Sequence, residues 1–255
     1  MKVDYLRNYF DNLVEKYNEP SFILNDPISI PHQFKRKQDI EIAGLFAATL
    51  AWGQRVTILS NCKKLMLWMD NAPYEFVLNH RERDLKPFLN FKHRTFNATD
   101  VLYFIYFLKK YYQSNHTLEK AFTYNLKAQE QTIENALIGF TNLFFDDEDA
   151  PQRTKKHVPS PLKKSACKRL CMYLRWMVRQ DNMGVDFGLW KQIKSSQLVC
   201  PIDVHVERIA RECKLITRKQ VDWRCALELT AELRKLDPQD PAKYDFALFG
   251  LSAVR

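Results

Sequence analysis

Cys200-Pro201-Ile202-Asp203-Val204-His205-Val206-Glu207-Arg208-Ile209-Ala210 puts an aspartate, two residues after a proline, at the mouth of an amphipathic helix predicted over 204–212. Asp203 reads in two ways. An aspartate there is a helix N-cap, accepting backbone N–H bonds from the first turn. A carboxylate held at a helix mouth by the dipole and those N–H groups also stays ionised. It then suits stabilising an oxocarbenium-like sugar or orienting water at an anomeric carbon.

Upstream lies a basic segment. Between Pro151 and Gln180 stand Arg153, Lys155, Lys156, Lys163, Lys164, Lys168, Arg169, Arg175 and Arg179, with no acid among them. These nine cations equal the formal net charge of the whole chain, +9. A helix is predicted over 165–178. Its core side is Leu170, Tyr173, Leu174 and Met177, and Lys164, Lys168, Arg175 and Arg179 fall on one opposite face. One reading is a solvated basic surface. The other is a polyanion site, since like charges one turn apart repel unless something neutralises them. Nucleic acid is the commonest polyanionic partner of a basic chain. A carboxylate facing such a helix suits a nucleotide: the acid does chemistry while the cations hold phosphate.

The rest of the 255 residues fits an all-α fold. Hydrophobic residues make up 46 %, only six glycines occur, and β-type alternation is scarce. Helices are predicted over 3–18, from Gln38 or Asp39 to 52, and over 56–69, 73–78, 101–112, 118–125, 131–144, 165–178, 204–212, 222–236 and 241–251, with a short one over 186–193. Thr99 or Asp100 is the expected cap of the 101–112 helix. Segments 25–34 and 91–97 read as loops, and 146–161 as the longest irregular stretch. A single helical domain over 1–255 is expected, with lobes at 38–145 and 160–255 and with 1–37 packing on the second lobe or bridging. The N-terminal residues read as an amphipathic helix and not a signal peptide, and no apolar run is long enough for a membrane span. The six cysteines form no CxxC pair, which points to reduced thiols in a cytoplasm. Cys167 and Cys171 are read as core thiols, and neither a metal nor a cofactor is expected.

Three stretches carry a resemblance. Leu45-Phe46-Ala47-Ala48-Thr49-Leu50-Ala51-Trp52-Gly53-Gln54-Arg55 is a helix ending in a small-residue, glutamine-containing turn. Lys168-Arg169-Leu170-Cys171-Met172-Tyr173-Leu174 is a lysine-led helix. Val199-Cys200-Pro201-Ile202-Asp203-Val204-His205-Val206 is a proline–x–Asp–x–His–Val segment. Together they resemble the helix-hairpin-helix DNA glycosylase superfamily, nearest to an uncharacterised bacterial family related to its archaeal 8-oxoguanine branch. The resemblance implies a two-lobed helical fold with a cleft between the lobes and a base flipped out of damaged duplex DNA. It further implies a lysine that attacks the anomeric carbon to form a Schiff base while an aspartate steadies the positive charge. On this sequence the lysine is Lys168, with Lys164 one turn earlier as the alternative, and the acid is Asp203. Trp52, Gln54, Arg55, Lys163, Arg169, Arg175 and His205 are the expected contacts to DNA. Trp52 and Trp176 read either as stacking platforms or as core residues, and His205 as a helix histidine or a pocket neighbour of Asp203.

Two departures from the family pattern stand out. The stretch equivalent to its glycine-rich hairpin, Ser160-Pro161-Leu162-Lys163-Lys164-Ser165, has no glycine, so side-chain cations are expected at the phosphate instead of backbone amides. The C-terminal four-cysteine iron–sulfur loop of some members is absent. The resemblance implies a monomeric, bacterial, nucleoid-associated repair enzyme, oxidised purine being the lesion its nearest branch suggests. Alternatives are a nucleic-acid-binding protein without catalysis on the same fold, and an all-α scaffold whose basic helix binds an acidic protein.

Overall fold

The computed structural model describes residues 3–127 and 129–253. The protein is all-α apart from one short ribbon. In chain order the elements are α1 (Val3–Tyr17), α2 (Pro20–Leu24), α3 (Lys37–Leu50), α4 (Arg55–Trp68), α5 (Pro73–Asn79), β1 (Lys92–His93), β2 (Phe96–Asn97), α6 (Ala98–Tyr112), α7 (Glu119–Thr123), α8 (Glu134–Phe144), α9 (Lys168–Val178), α10 (Val204–Glu212), α11 (Trp223–Leu236) and α12 (Tyr244–Ala253). Short 3-10 turns fill several connections, including Pro27–Ser29, Pro31–Gln33, Gln152–Lys156 and Pro161–Lys163. No described helix is long and apolar enough to cross a membrane.

The chain divides into two compact units. One comprises Met1–Leu24, Asn125–Ile138 and Ser160–Arg255; the other comprises Asn25–Tyr124 and Gly139–Pro159.

The second of these is built around α3. Its run from Ile40 to Leu50 is buried on every side, as an almost wholly apolar helix must be. The one acid in that run, Glu41, accepts hydrogen bonds from Tyr112 Oη (2.8 Å), the Leu118 amide (3.0 Å) and the Thr117 hydroxyl, the condition for burying a carboxylate. Phenylalanines fill the rest: Phe122 stacks on Phe140 at 4.0 Å, and Phe107 meets Phe144 at 4.3 Å. The 91–97 loop folds as an antiparallel ribbon pairing Lys92 with Asn97 and His93 with Phe96, turned by Arg94 at φ 54°. The cap of α6 is Asn97, not Thr99 or Asp100. Asn97 Oδ1 accepts from the Thr99 amide (3.1 Å), while Asp100 returns the bond to the Asn97 amide (2.8 Å). The extended backbone of β2 already places Asn97 in the conformation a cap needs.

In the other unit, α12 packs against α1 and α10. Phe10 meets Tyr244 at 5.8 Å, the Tyr244 hydroxyl donates to Asp11 (3.1 Å), and Arg7 donates to the terminal carbonyl of α11 at Leu236 (2.7 Å). Gly250 is the contact point of α12 with α1: a Cβ there falls 2.1 Å from Cδ2 of Tyr17. Gly250→Ala gains about 1 kcal/mol in helix propensity, yet the overpacked ring costs about 1–3 kcal/mol. A net loss of stability is expected in urea unfolding. A net gain would show that Tyr17 moves aside freely.

Two sequence expectations fail in this unit. The basic helix begins at Lys168 rather than Ser165, because Lys164 (φ 57°) and Cys167 (φ 51°) are both left-handed and break the run. Lys164 therefore lies off α9 and shares no face with Lys168. Residues 186–193 form no helix. Their amides instead close the end of α9, Phe187 donating to Trp176 (2.8 Å) and Trp190 to Met177 (2.9 Å). Trp190 then packs edge-on against Tyr173 at 5.4 Å.

Candidate functional site

Asp203 begins α10 from an extended backbone (φ −124°, ψ −174°). Its Oδ1 accepts from the amides of His205 and Val206, each at 3.0 Å. The cap uses one oxygen. The other, Oδ2, lies 3.7 Å from Nζ of Lys168, the first residue of α9. The cap and the lysine thus address different atoms, and the two sequence readings of Asp203 coexist. The side chains of Lys168 and Asp203 are 27 % and 28 % exposed, so the pair is open to a solute. An ion pair this exposed contributes only about 0–1 kcal/mol. Stability alone gives little reason to hold a lysine at the positive end of α9.

Around the pair, the remaining cations separate. Lys163 and Lys164, on the turn before α9, are exposed. Arg169 is half-buried, and burial lowers its guanidinium to about 10, still charged at neutral pH. His205 presents an exposed side chain; its amide serves the Asp203 cap.

Arg175 does not belong to a DNA-facing surface. It is buried, with Nε 3.3 Å from Asp186 Oδ1, a shorter ion pair to Asp245, and its guanidinium 4.4 Å over the ring of Phe246. Arg179 is buried beside it, at 2.6 Å from Asp181, 3.1 Å from Asp186 and 2.8 Å from Asp240. Burial opposes the charge on Arg179, but Asp240, Asp186 and Asp181 outweigh it and raise its proton affinity. The basic stripe is therefore neither a solvated face nor a polyanion site along its length. Its C-terminal half is an internal arginine–aspartate network, fed by acids from outside the 151–180 segment.

Asp245 is the site residue that sequence reasoning missed. Burial pushes its carboxyl up to about 6 against the pull of Arg175; Asp203 adds to the rise and Lys168 opposes it. The available signal was an acid inside an otherwise apolar helix, Tyr244-Asp245-Phe246-Ala247-Leu248-Phe249. The thiols around this region are core groups. Burial pushes Cys167 up to about 12 and raises Cys171 and Cys200 well above the ordinary thiol range. Among the described residues no group of three or more His, Cys, Asp and Glu is placed to hold a metal ion.

The turn Trp52–Arg55, in the unit built around α3, links α3 to α4. Trp52 is half-buried, edge-on to His93 at 5.8 Å, and the Arg94 guanidinium lies 4.8 Å over its ring. The His93 ring nitrogen Nε2 bonds the Trp52 carbonyl at 3.1 Å and pins the turn. Gly53 (φ 105°) is required there, since a Cβ would meet Arg94 at 3.0 Å in a backbone conformation closed to other residues. Gln54 and Arg55 are exposed. Trp176 is fully buried and serves the core.

No curated protein and no solved structure matches the chain. The turn at Trp52, the Lys168–Asp203 pair and the arginine–aspartate network all fall inside residues 26–254, the span matched by the family model described as a protein of unknown function, DUF2400, and the chain belongs to that family.

Proposed function

We propose that the protein is a DNA base-excision glycosylase of the helix-hairpin-helix type with lyase chemistry, acting on a base flipped out of damaged duplex. The observation that carries this reading is the 3.7 Å approach of Lys168 to the free oxygen of a capping aspartate, with both groups exposed. The turn from Ser160 to Cys167 stands where that superfamily has its hairpin, its left-handed positions taken by Lys164 and Cys167 without glycine. Exposed Lys163 and Lys164 are the phosphate contacts nearest α9 in sequence, and Gln54 and Arg55 are further contacts.

In this mechanism the neutral Lys168 amine attacks C1′ of the flipped nucleotide. The C1′–N bond breaks, and the base leaves with its electron pair and takes up a proton. The nitrogen loses a proton, the C1′–ring oxygen bond opens, and a protonated imine forms between Lys168 and C1′. The Asp203 carboxylate faces the positive charge that develops at C1′ and the ring oxygen. Water hydrolyses the imine, or loss of a C2′ proton lets the 3′ phosphate leave. Oxidised purine is the first lesion to test.

Borohydride reduction during incubation with lesion-bearing duplexes is expected to yield a covalent protein–DNA adduct. Lys168→Gln should abolish it, and Lys164→Gln should leave it. If Lys164→Gln alone removes the adduct, the nucleophile is misassigned. If no duplex in a panel of oxidised, deaminated, alkylated and abasic sites gives either adduct or base release, the enzyme reading fails. Salt-steep DNA binding in that case would favour a binding protein.

A further inference from the structure

Asp245 is a buried acid that the chemistry above leaves unused. It stands in the first turn of α12. Lys168 and Arg175 lie two turns apart on α9, so their side chains leave the same face. Lys168 reaches Asp203 at the mouth of α10, and Arg175 reaches Asp245 on α12. Helices α10 and α12 pack together. The two ion pairs are successive rungs between α9 and the α10–α12 pair, one open to solute and one closed.

We infer that Asp245 is a positioning residue for the Lys168–Asp203 pair: its buried charge holds the Lys168 ammonium against Asp203 and governs how readily that amine gives up its proton. The inference rests on the reading of Lys168 as the nucleophile. Both members of the open pair act on the Asp245 carboxyl, Lys168 favouring its anion and Asp203 opposing it. Such coupling is mutual, so the Asp245 anion in turn favours the charged form of Lys168. Above about pH 6 Asp245 is anionic and keeps the proton on Lys168; below it the hold is released.

The other charges acting on Asp245 are Arg175 from α9 and Asp186 from the segment after α9. The Cys171 and Cys200 thiols feel its charge and stay neutral. From the remaining elements packed on α12, the nearby charges are already paired: Asp11 of α1 with Lys243 of the preceding turn, and Asp240 with Arg179.

Asp245→Asn keeps the shape and an oxygen for Arg175 while removing the charge. The acid limb of the pH profile for adduct formation is expected to move about one unit lower, a roughly tenfold gain in reactive amine on that limb. A purely structural role would scale the whole profile and leave the limb where it was. A direct measurement needs no activity: with ¹³C-labelled lysine, the Cε resonance absent from Lys168→Arg reports Lys168. Its high-pH midpoint should fall by about one unit in Asp245→Asn. In the wild-type chain the same resonance should carry a second inflection near pH 6, which decides the matter if Asp245→Asn does not fold. An unmoved midpoint, or a wild-type titration without that inflection, overturns the inference. If adducts form but neither limb nor midpoint moves, the inference falls and the enzyme reading stands. If the resonance shows the coupling but no adduct ever forms, Asp245 does position Lys168 and the enzyme reading falls.

Discussion

Arg175→Met is expected to destabilise the protein by about 3–5 kcal/mol, the range for removing one partner from a buried charge pair. The arginine is buried between Asp186 and Asp245. Asp186 keeps Arg179 as a partner at 3.1 Å, so the loss falls mainly on Asp245, stranded beside the anion of Asp203. The deficit depends on pH, and its sign is fixed. Asp245 in the folded protein titrates at about 6, above the ordinary value of 3.8. A carboxyl raised on folding binds protons more tightly in the native state, so its contribution is most favourable below pH 4 and is lost as pH rises toward 6. Without Arg175 the folded value rises further, and the deficit should be larger at pH 7 than at pH 5. Urea unfolding at the two pH values measures this. Arg175→Met with Asp245→Leu should recover most of the loss, because an apolar replacement of a buried pair is often neutral or better. A single variant that unfolds like the wild type would show that water reaches Asp245.

Asp203→Asn is expected to separate the two roles of that residue. Asparagine caps a helix about as well as aspartate, and the exposed pair with Lys168 contributes little, so stability should change by less than about 1 kcal/mol. Adduct formation and base release should fall about 10²–10³-fold, the usual effect of removing one group that faces charge developing in the transition state. Asp203→Ala removes the cap as well and should lose a further ~1 kcal/mol of stability. Single-turnover base release with parallel thermal unfolding reads both quantities. Wild-type rates in Asp203→Asn would reduce Asp203 to a cap.

Much of the helix content was legible in the sequence because it is set locally. The cap of α10 follows from Asp203, that of α11 from Asp222, and the apolar run of α3 announces a buried helix. The start of α9 was not legible. Lys164 and Cys167 adopt left-handed backbone without being glycine or asparagine, so nothing local marks the break. Residues 186–193 look helical in composition, yet their amides are taken by the end of α9. The interleaving of Asn125–Ile138 with the C-terminal unit is likewise invisible to any local pattern.

The sequence by itself determined the helical class, the aspartate at the mouth of α10 and the lysine that leads α9, because caps and periodicity depend on neighbours within a turn or two. Only the tertiary structure decided which charges face outward. Counted along the chain, 151–180 is a run of unopposed cations. Folded, Asp100 neutralises Arg153, and Asp181, Asp186, Asp240 and Asp245 enclose Arg175 and Arg179, while Lys168 and Asp203 are left open. Most of those partners are tens of residues away in sequence. Burial sets the strength of each pairing, and burial is a property of the packed molecule that no segment carries alone.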